Sequence, residues 1–570
     1  FFKTTDTGTI YRNIGEAQGE TVGKTMPGQP NSPGRTATQE SPERELQRTL
    51  IKALMDPRRY PHPAETVQLV ETHISSVLLA GQYAYKIKKP VDLTFLNFTS
   101  LSSRRHYCEE ELRLNRRLAP ELYLDVIPVG GAADTPELGA EPAVEYTLKM
   151  RRFPVDEQLD RLAECGKLTP QHMDDLAAAL AHFHGNLPQA EAESRFGAPS
   201  AIHSAVFNSL DRLQAALSNN QDDASVTALR NAMETGYAKC KARFEQRQAR
   251  GFIRECHGDL HLGNIALIGG RPVPFDCIEF DPALRWIDVM NEAAFTVMDL
   301  LHHRRPELAY RFLNAYLENT GDYEGVPLLS FYIAYRAIVR AMVNAIRASQ
   351  PDTSAQAKAE ALEASRSLIA LAKEQVARYR PALIITHGLP GSGKTTFAQA
   401  ALERLQAIRI RSDIERKRLF GLSPLADSRA HPANLYTSDA TDRTYSRLQD
   451  LAREMLTAGV PVIVDAAFLK WEERSRFRQL AQELAAPFAI MFIQASTQKL
   501  QENITKRQRE SNDASEADLA VLEMLREKHE PLSLQEHSHT VEFVNDGASV
   551  SANSHPWETL DLLLTTGKKQ

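Results

Sequence analysis

Two segments of this 570-residue chain combine residue types and spacings suited to holding phosphate. The first is His257-Gly-Asp259-Leu-His261-Leu-Gly-Asn264, with a further aspartate at Asp276. A carboxylate in such a loop can take the proton of a hydroxyl, while an amide and a second carboxylate offer hard oxygens to Mg2+. Asp259 is therefore the candidate base, and Asn264 and Asp276 are the candidate metal ligands. The second segment is Gly388-Leu-Pro-Gly391-Ser392-Gly393-Lys394-Thr395, followed by Thr396. Its glycines let successive backbone N–H groups turn inward around an anion, and a helix starting near Lys394 aims its positive end at the same point. Lys394 would reach the outer phosphates and Thr395 would offer a hydroxyl to Mg2+. Gly388, Gly391, Ser392, Gly393 and Thr396 complete the cradle. Asp465 closes the apolar run Pro461-Val-Ile-Val, where a carboxylate can hold the same metal through water. The guanine-reading Asn-Lys-x-Asp pattern is absent from the sequence, which disfavours a GTPase.

These residues need scaffolds of two kinds. Val67 to Lys89 is β-branched and apolar with a Gly81-Gln82 turn, and reads as β-structure. In Tyr83-Ala-Tyr-Lys86-Ile-Lys88-Lys89, Lys86 and Lys88 share one strand face by the period of two. Ser103 to Leu118 reads as a charged helix, Val144 to Phe153 as a strand leading into a connector, and Leu159 to Arg250 as mainly helical. Helices return at Trp286 to Arg304 and Pro327 to Ser349. On the latter, Arg336, Arg340 and Arg347 share a face able to meet an anion near the first cluster. After a break at Gln350-Pro-Asp-Thr-Ser, Ala355 to Arg378 reads as an alanine-rich spacer helix. Beyond it, short apolar strands at Ala382–Thr386, Ile408–Ile410, Val460–Val464, Phe488–Ile493 and Thr540–Val544 alternate with helices. That alternation predicts a parallel α/β sheet.

The aspartate-to-asparagine spacing resembles the catalytic loop of eukaryotic-type kinases, and the His-Gly-Asp-x-His form resembles the aminoglycoside-phosphotransferase-like family. That resemblance, over about Pro61 to Arg347, implies a protein-kinase-like α+β fold with a small β lobe and a helical lobe. It also implies a lysine on the small sheet paired with a helix glutamate: Lys86, with Lys88 second, and Glu111, with Glu110 close behind. The adenine-binding connector would fall at Glu145 to Arg151, and Asp288 would be structural. A glycine-rich phosphate loop is missing; Thr72-His-Ile-Ser-Ser76 occupies its place. From about Pro381 to Leu564 the chain resembles the polynucleotide-kinase-like and zeta-toxin-like P-loop kinases. Their Asp-x-x-Arg after the second strand maps to Asp413 as acceptor-activating base and Arg416 as acceptor clamp. Their lid helix maps to Thr505–Arg509 followed by Asp513-Ala-Ser-Glu516, with Arg507 and Arg509 placed to neutralise charge on the transferring phosphoryl group. The order of the halves resembles a bacterial class of bifunctional proteins, an aminoglycoside-phosphotransferase-like domain fused to an AAA-type P-loop kinase.

These resemblances imply ATP and Mg2+ as cofactors. They predict a tail over 1–45, a kinase-like domain over 46–350, a helical linker over 351–380 and an α/β P-loop kinase domain over 381–567. The expected activity is transfer of the γ-phosphate to hydroxyls. The P-loop half would act on a nucleoside, nucleotide or nucleic-acid 5′ end or a related small molecule, the other half on a small hydroxylated metabolite. Two readings stay open beside it: a ligand-binding pseudokinase regulating the P-loop kinase, and an ATP-driven switch without an acceptor. The net charge of −6 argues against a protein that coats nucleic acid. Five scattered cysteines, with no zinc spacing, fit buried free thiols in a reducing compartment. No apolar run of membrane-spanning length is evident, so no membrane partner and a cytoplasmic location are expected.

Overall fold

The computed structural model describes residues 42–566, apart from 73, 94–95, 192, 218–219, 351–352, 429–434, 511–513 and 547–554. Most of the expected N-terminal tail therefore lies outside the described residues. The chain forms two compact units, and neither is one continuous stretch. The first comprises the described residues up to Leu168, Asn186–His303 and Phe331–Val376; the second comprises Thr169–Gly185, Arg304–Ser330 and Ala377 onward. The units are thus not the consecutive 46–350 and 381–567 segments that the sequence suggests.

In the first unit, a six-stranded antiparallel sheet runs in the order Val67–Glu71, Ser75–Ala80, Tyr83–Lys88, Glu145–Arg151, Tyr123–Ala132, Thr135–Leu138. Lys86 lies in an inner strand, opposite Val77 on one side and Leu148 on the other. Helix Leu101–Asn115 carries Glu111; the Ser100 hydroxyl starts it by accepting from the Ser103 amide at 3.1 Å. Glu145–Arg151, the place expected for the connector, is the strand between Lys86's strand and Tyr123–Ala132, with Glu145 paired to Arg104. Apolar alternation carries strand signals and no marker for where a strand stops being a connector, which is why the sequence blurs the two.

A two-stranded antiparallel pair and a true hairpin hold the first motif. Ile253–Glu255 pairs with Trp286–Asp288, and Ile265–Ile268 pairs with Arg271–Pro274. The hairpin brings Asn264, at its entrance, beside Phe275 and Asp276, at its exit; the Phe275 amide donates to the Asn264 carbonyl at 2.9 Å. Helix Ala355–Ala377, expected as a spacer, buries Leu368, Ile369 and Ala372, and Ser365 Oγ donates to the Ala341 carbonyl at 3.0 Å within the first unit.

The second unit contains a five-stranded parallel sheet in the order Ile408–Arg411, Pro461–Asp465, Ala382–His387, Phe488–Gln494, Thr540–Val544. Every residue of the Ala382–His387 strand is buried, as a sheet covered on both faces requires. The edge strand Ile408–Arg411 is covered by helix Pro306–Thr320. Asn314 accepts from the Arg409 amide at 2.6 Å and donates to the Ala407 carbonyl at 2.9 Å, and Arg409 pairs with Glu318 at 2.7 Å.

Among the described residues one helix, Tyr323–Ser349, is long and apolar enough to cross a membrane, and 78% of its apolar stretch is buried. The cysteines are free; Cys108, Cys256 and Cys277 are buried as expected, whereas Cys165 is exposed.

Candidate active sites

In the first unit the predicted residues converge. Lys86 Nζ donates to Glu111 Oε1 at 2.7 Å and to Asp276 Oδ1 at 2.9 Å. Glu111 is wholly buried, and its other oxygen accepts from Lys88 Nζ at 2.6 Å. Lys88 also bonds Glu279, three residues past Asp276. Both sequence candidates for the lysine thus touch the same glutamate, and Lys86 alone reaches Asp276. Glu110, the runner-up, turns to Arg113 and Arg285 instead. Burial pushes the Glu111 carboxyl up, but the Lys86 and Lys88 ammonium groups outweigh it and hold it at about 2. Burial pushes Lys86 down, and Asp276 and Glu111 override it and raise it well above an ordinary lysine. Glu111 and Lys86 are therefore both ionised at neutral pH.

Asp276 adopts φ +63°, a left-handed conformation rare outside glycine, and its amide donates to the Tyr123 hydroxyl at 3.0 Å. The preceding carbonyl, of Phe275, takes a 2.8 Å bond from His257 Nε2. His257 is thus a brace between the catalytic loop and the Asp276 turn, and its burial lowers its affinity for a proton. Asn264 Nδ2 donates to Asp259 Oδ2 at 3.1 Å and to the Asp259 carbonyl at 3.0 Å. That leaves the amide oxygen of Asn264 to point elsewhere. Burial pushes the Asp259 carboxyl up, but the neighbouring His261 imidazole, with Arg340 and His257, holds it at about 2. Asp259 stays charged and able to accept a proton. The Asn264 amide oxygen and the Asp276 carboxylate form a hard oxygen pair that fits Mg2+.

The place expected for a glycine-rich loop is the turn between Val67–Glu71 and Ser75–Ala80. There Thr72 Oγ1 accepts from the Ser75 amide at 2.9 Å. Asp288 is structural: it caps helix Val289–His302 and pairs with buried Arg247 at 2.7 Å. The residues that sequence reasoning left unnamed are Glu279, Tyr123 and His261 as a neighbour of Asp259. Glu279 lies in the Pro-Phe-Asp-Cys-Ile-Glu run, but only the fold shows that it meets Lys88.

In the second unit, Gly388–Gly393 follows strand Ala382–His387 and precedes helix Lys394–Leu405. Gly391 (φ +82°) and Gly393 (φ +97°) are left-handed, and a Cβ on Gly391 would stand 2.6 Å from the Leu500 carbonyl. Only glycine allows this tight loop. Asn503 and Asn545 fasten it from outside by donating to the Gly391 and Ser392 carbonyls at 2.7 and 2.9 Å. Lys394 Nζ donates to the Leu389 carbonyl at 3.0 Å. Asp465 ends its strand opposite Arg411, accepts weakly from Thr386 Oγ1 at 3.5 Å, and keeps a buried Oδ2 with no hydrogen bond, 3.8 Å from Arg411 Nε. A buried carboxylate oxygen of that kind, on the strand next to the one that leads into the loop, is a donor suited to a hard cation.

The acceptor residues are placed less simply. Asp413 is half-buried in the first turn of helix Ser412–Leu419, and its charge is felt at the Tyr436 hydroxyl. Arg416 is buried and donates to the Leu435 carbonyl at 3.0 Å and Thr441 Oγ1 at 3.3 Å, so its guanidinium braces the neighbouring segment. Arg507, on helix Thr497–Glu510, donates to the Ala517 carbonyl at 2.7 Å, while Arg509 is exposed. Asp513 lies outside the described residues. Glu516 pairs with buried Lys417 at 2.9 Å.

Comparison with known proteins agrees with both halves. Residues 94–329 match the model of the phosphotransferase enzyme family, and residues 383–532 match the AAA domain. Over 461 residues the chain is 30% identical to "Uncharacterized protein Rv2004c" of Mycobacterium tuberculosis (strain ATCC 25618 / H37Rv), covering 80% of this chain and 89% of that one. "Uncharacterized protein Mb2027c" of Mycobacterium bovis (strain ATCC BAA-935 / AF2122/97) matches to the same extent. Among solved structures, the amicoumacin kinase hAmiN is 13% identical, with 57% of this chain and 93% of that one covered and a TM-score of 0.36. A gluconokinase from Sinorhizobium meliloti 1021 is 21% identical, with 33% and 91% covered and a TM-score of 0.22. The chain belongs to the family of these mycobacterial proteins, and joins a phosphotransferase-family, kinase-like fold to a P-loop kinase domain.

Proposed function

We propose that the chain is an ATP-dependent phosphotransferase with two sites, each moving the γ-phosphate to a hydroxyl. The observation that carries this reading is the position of Lys86 Nζ, between Glu111 and Asp276. A lysine held by a buried glutamate and touching a metal-type aspartate is equipped to grip a phosphate beside a divalent ion. Asn264 and Asp276 would hold Mg2+ in this unit, and Thr395 and Asp465 in the other. Bound Mg2+ neutralises phosphate charge and so eases attack at phosphorus. Asp259 accepts the proton of the acceptor hydroxyl as its oxygen bonds to phosphorus. Its low proton affinity keeps it ionised, and Asn264 fixes its orientation. In the P-loop unit, the inward amides and Lys394 bind the phosphates, and Asp413 stands as the acceptor base. Arg416 supports that wall from behind. The acceptors proposed are a small hydroxylated metabolite for the first unit and a nucleoside, nucleotide, nucleic-acid 5′ hydroxyl or related small molecule for the second.

Titration of the full chain with a non-hydrolysable ATP analogue and Mg2+ tests the two-site reading. Two equivalents should bind, with Lys86→Ala removing one and Lys394→Ala the other. One equivalent, lost with Lys394→Ala and indifferent to Lys86→Ala, rules out the first site.

A further inference from the structure

The wall of the first site behind Asp259 carries two arginines. Arg336 and Arg340 stand one turn apart on helix Val326–Ser349. Arg336 is only 6% exposed; its Nη1 donates to the Gly258 carbonyl at 3.2 Å and its Nε to Asn291 Oδ1 at 2.8 Å. Its Nη2 is buried without a hydrogen-bond partner, and so is Nη1 of Arg340. Arg340 follows one turn along the same helix face from Arg336, whose Nη1 touches the residue just before the base. His261, 1% exposed, has its Nε2 3.5 Å from Asp259 Oδ2, also without a hydrogen bond.

Among the described residues neither arginine forms an ion pair. The nearby carboxylates are turned to backbone amides: Asp299 Oδ2 accepts from Leu262 at 2.8 Å and Glu292 Oε1 from Gly258 at 2.7 Å. Burying guanidinium nitrogens without an acceptor is costly, so a site that does so beside its base is built for a group that supplies the acceptor oxygens. Guanidinium forks match carboxylate and phosphate geometry. An ammonium-bearing acceptor would meet two guanidinium groups instead.

We propose that the acceptor of the first site is an anionic hydroxy compound, its carboxylate or phosphate held by Arg340 and Arg336 while its hydroxyl meets Asp259. This rests on the reading of that site as a phosphotransferase. In the step, the hydroxyl proton passes to Asp259 and the hydroxyl oxygen forms a bond to the γ-phosphorus of ATP. The bond from that phosphorus to the bridging oxygen breaks, and its electron pair leaves on ADP.

The test uses the full chain carrying Lys394→Ala, with γ-labelled ATP and size-matched acceptors: neutral (glycerol, glucose), anionic (glycerate, glucose 6-phosphate) and cationic (glucosamine). The anionic members should be labelled with a kcat/KM roughly 100-fold above their neutral matches. Arg340→Ala should raise the KM for the anionic acceptor at least about tenfold, and Arg340→Lys should recover part of it. Labelling of neutral or cationic acceptors as efficiently as anionic ones overturns the proposal, as does an unchanged KM in Arg340→Ala. If no acceptor is labelled in an Asp259-dependent manner, the phosphotransferase reading has failed, and a binding arm still decides the anion site. Sulfate should then slow hydrogen exchange along Val326–Ser349 in the wild-type chain and not in Arg340→Ala. Absence of that protection in the wild-type chain overturns the site itself.

Discussion

Glu111→Gln is the most informative single perturbation of the first site. The glutamine keeps the shape of a side chain that is wholly buried, and removes the one carboxylate shared by Lys86 at 2.7 Å and Lys88 at 2.6 Å. Two routes give its magnitude. The Glu111 carboxyl is depressed from 4.5 to about 2, which at about 1.4 kcal/mol per pH unit is worth about 3 kcal/mol of folding stability at neutral pH. Breaking a buried ion pair by neutralising one partner typically costs about 3–5 kcal/mol. The sign follows from the depressed value: the contribution is complete above pH 4.5 and vanishes as pH falls towards 2. Hydrogen exchange read on helix Leu101–Asn115 and strand Tyr83–Lys88 measures it locally. A loss of about 3 kcal/mol accelerates exchange through global opening of the unit roughly 100-fold at pH 7. Between pH 5 and 3 the wild-type chain should lose stability more steeply than the variant. Exchange within a factor of three of wild type at pH 7, or parallel acid profiles, would refute the charge-network reasoning.

Three further outcomes follow from the same structure. Gly391→Ala forces a Cβ to 2.6 Å from the Leu500 carbonyl at a left-handed backbone, so nucleotide affinity at the P-loop should drop at least about tenfold in a titration where Lys86→Ala silences the other site. Asp288→Ala removes the carboxylate that buried Arg247 meets at 2.7 Å; a loss of about 3–5 kcal/mol should appear as faster exchange in the strand pair of Trp286–Asp288 with Ile253–Glu255. His387, whose Nδ1 donates to the Phe468 carbonyl at 3.0 Å and whose Nε2 lies 3.2 Å from His529 Nε2, is held by burial down to about 4. Its stabilising contribution is therefore present above pH 6.5 and lost as pH falls to 4. In His387→Gln, acid destabilisation of strand Ala382–His387 over that window should shrink by about 3 kcal/mol.

The sequence carried the chemistry of both sites further than it carried their walls. Gly388–Thr395 and Asp465 were readable because loop, helix and strand end are consecutive or marked by an apolar run. Lys86 and Glu111 were readable only through order along the chain, since a lysine and a glutamate have no local signature; the antiparallel register and helix Leu101–Asn115 join them. Arg416 illustrates the opposite. Its spacing after Asp413 suggests an acceptor clamp; the fold adds that Nη1 meets the Leu435 carbonyl and the Thr441 hydroxyl while Nε is buried without a hydrogen bond. Long-range packing of that kind leaves no periodicity to read. Segments Thr169–Gly185 and Arg304–Ser330 belong to the P-loop unit for the same reason: Asn314 reaches the Ile408–Arg411 strand edge through side-chain bonds that no local pattern announces. The geometry shows the Lys86–Glu111–Asp276 set fully assembled, without a glycine loop above it.

The central claim is that both units transfer phosphate, each with its own base and its own product. Product-resolved transfer from γ-labelled ATP, run on the full chain and on Asp259→Asn, Lys394→Ala and the double variant, tests it most directly. The expected result is two labelled products. Asp259→Asn should reduce one by about 100-fold or more, Lys394→Ala should remove the other, and only the double variant should lose both. Loss of all labelled product in Lys394→Ala alone, with Asp259→Asn at wild-type rates, would contradict the claim and leave the first unit a regulator of the second.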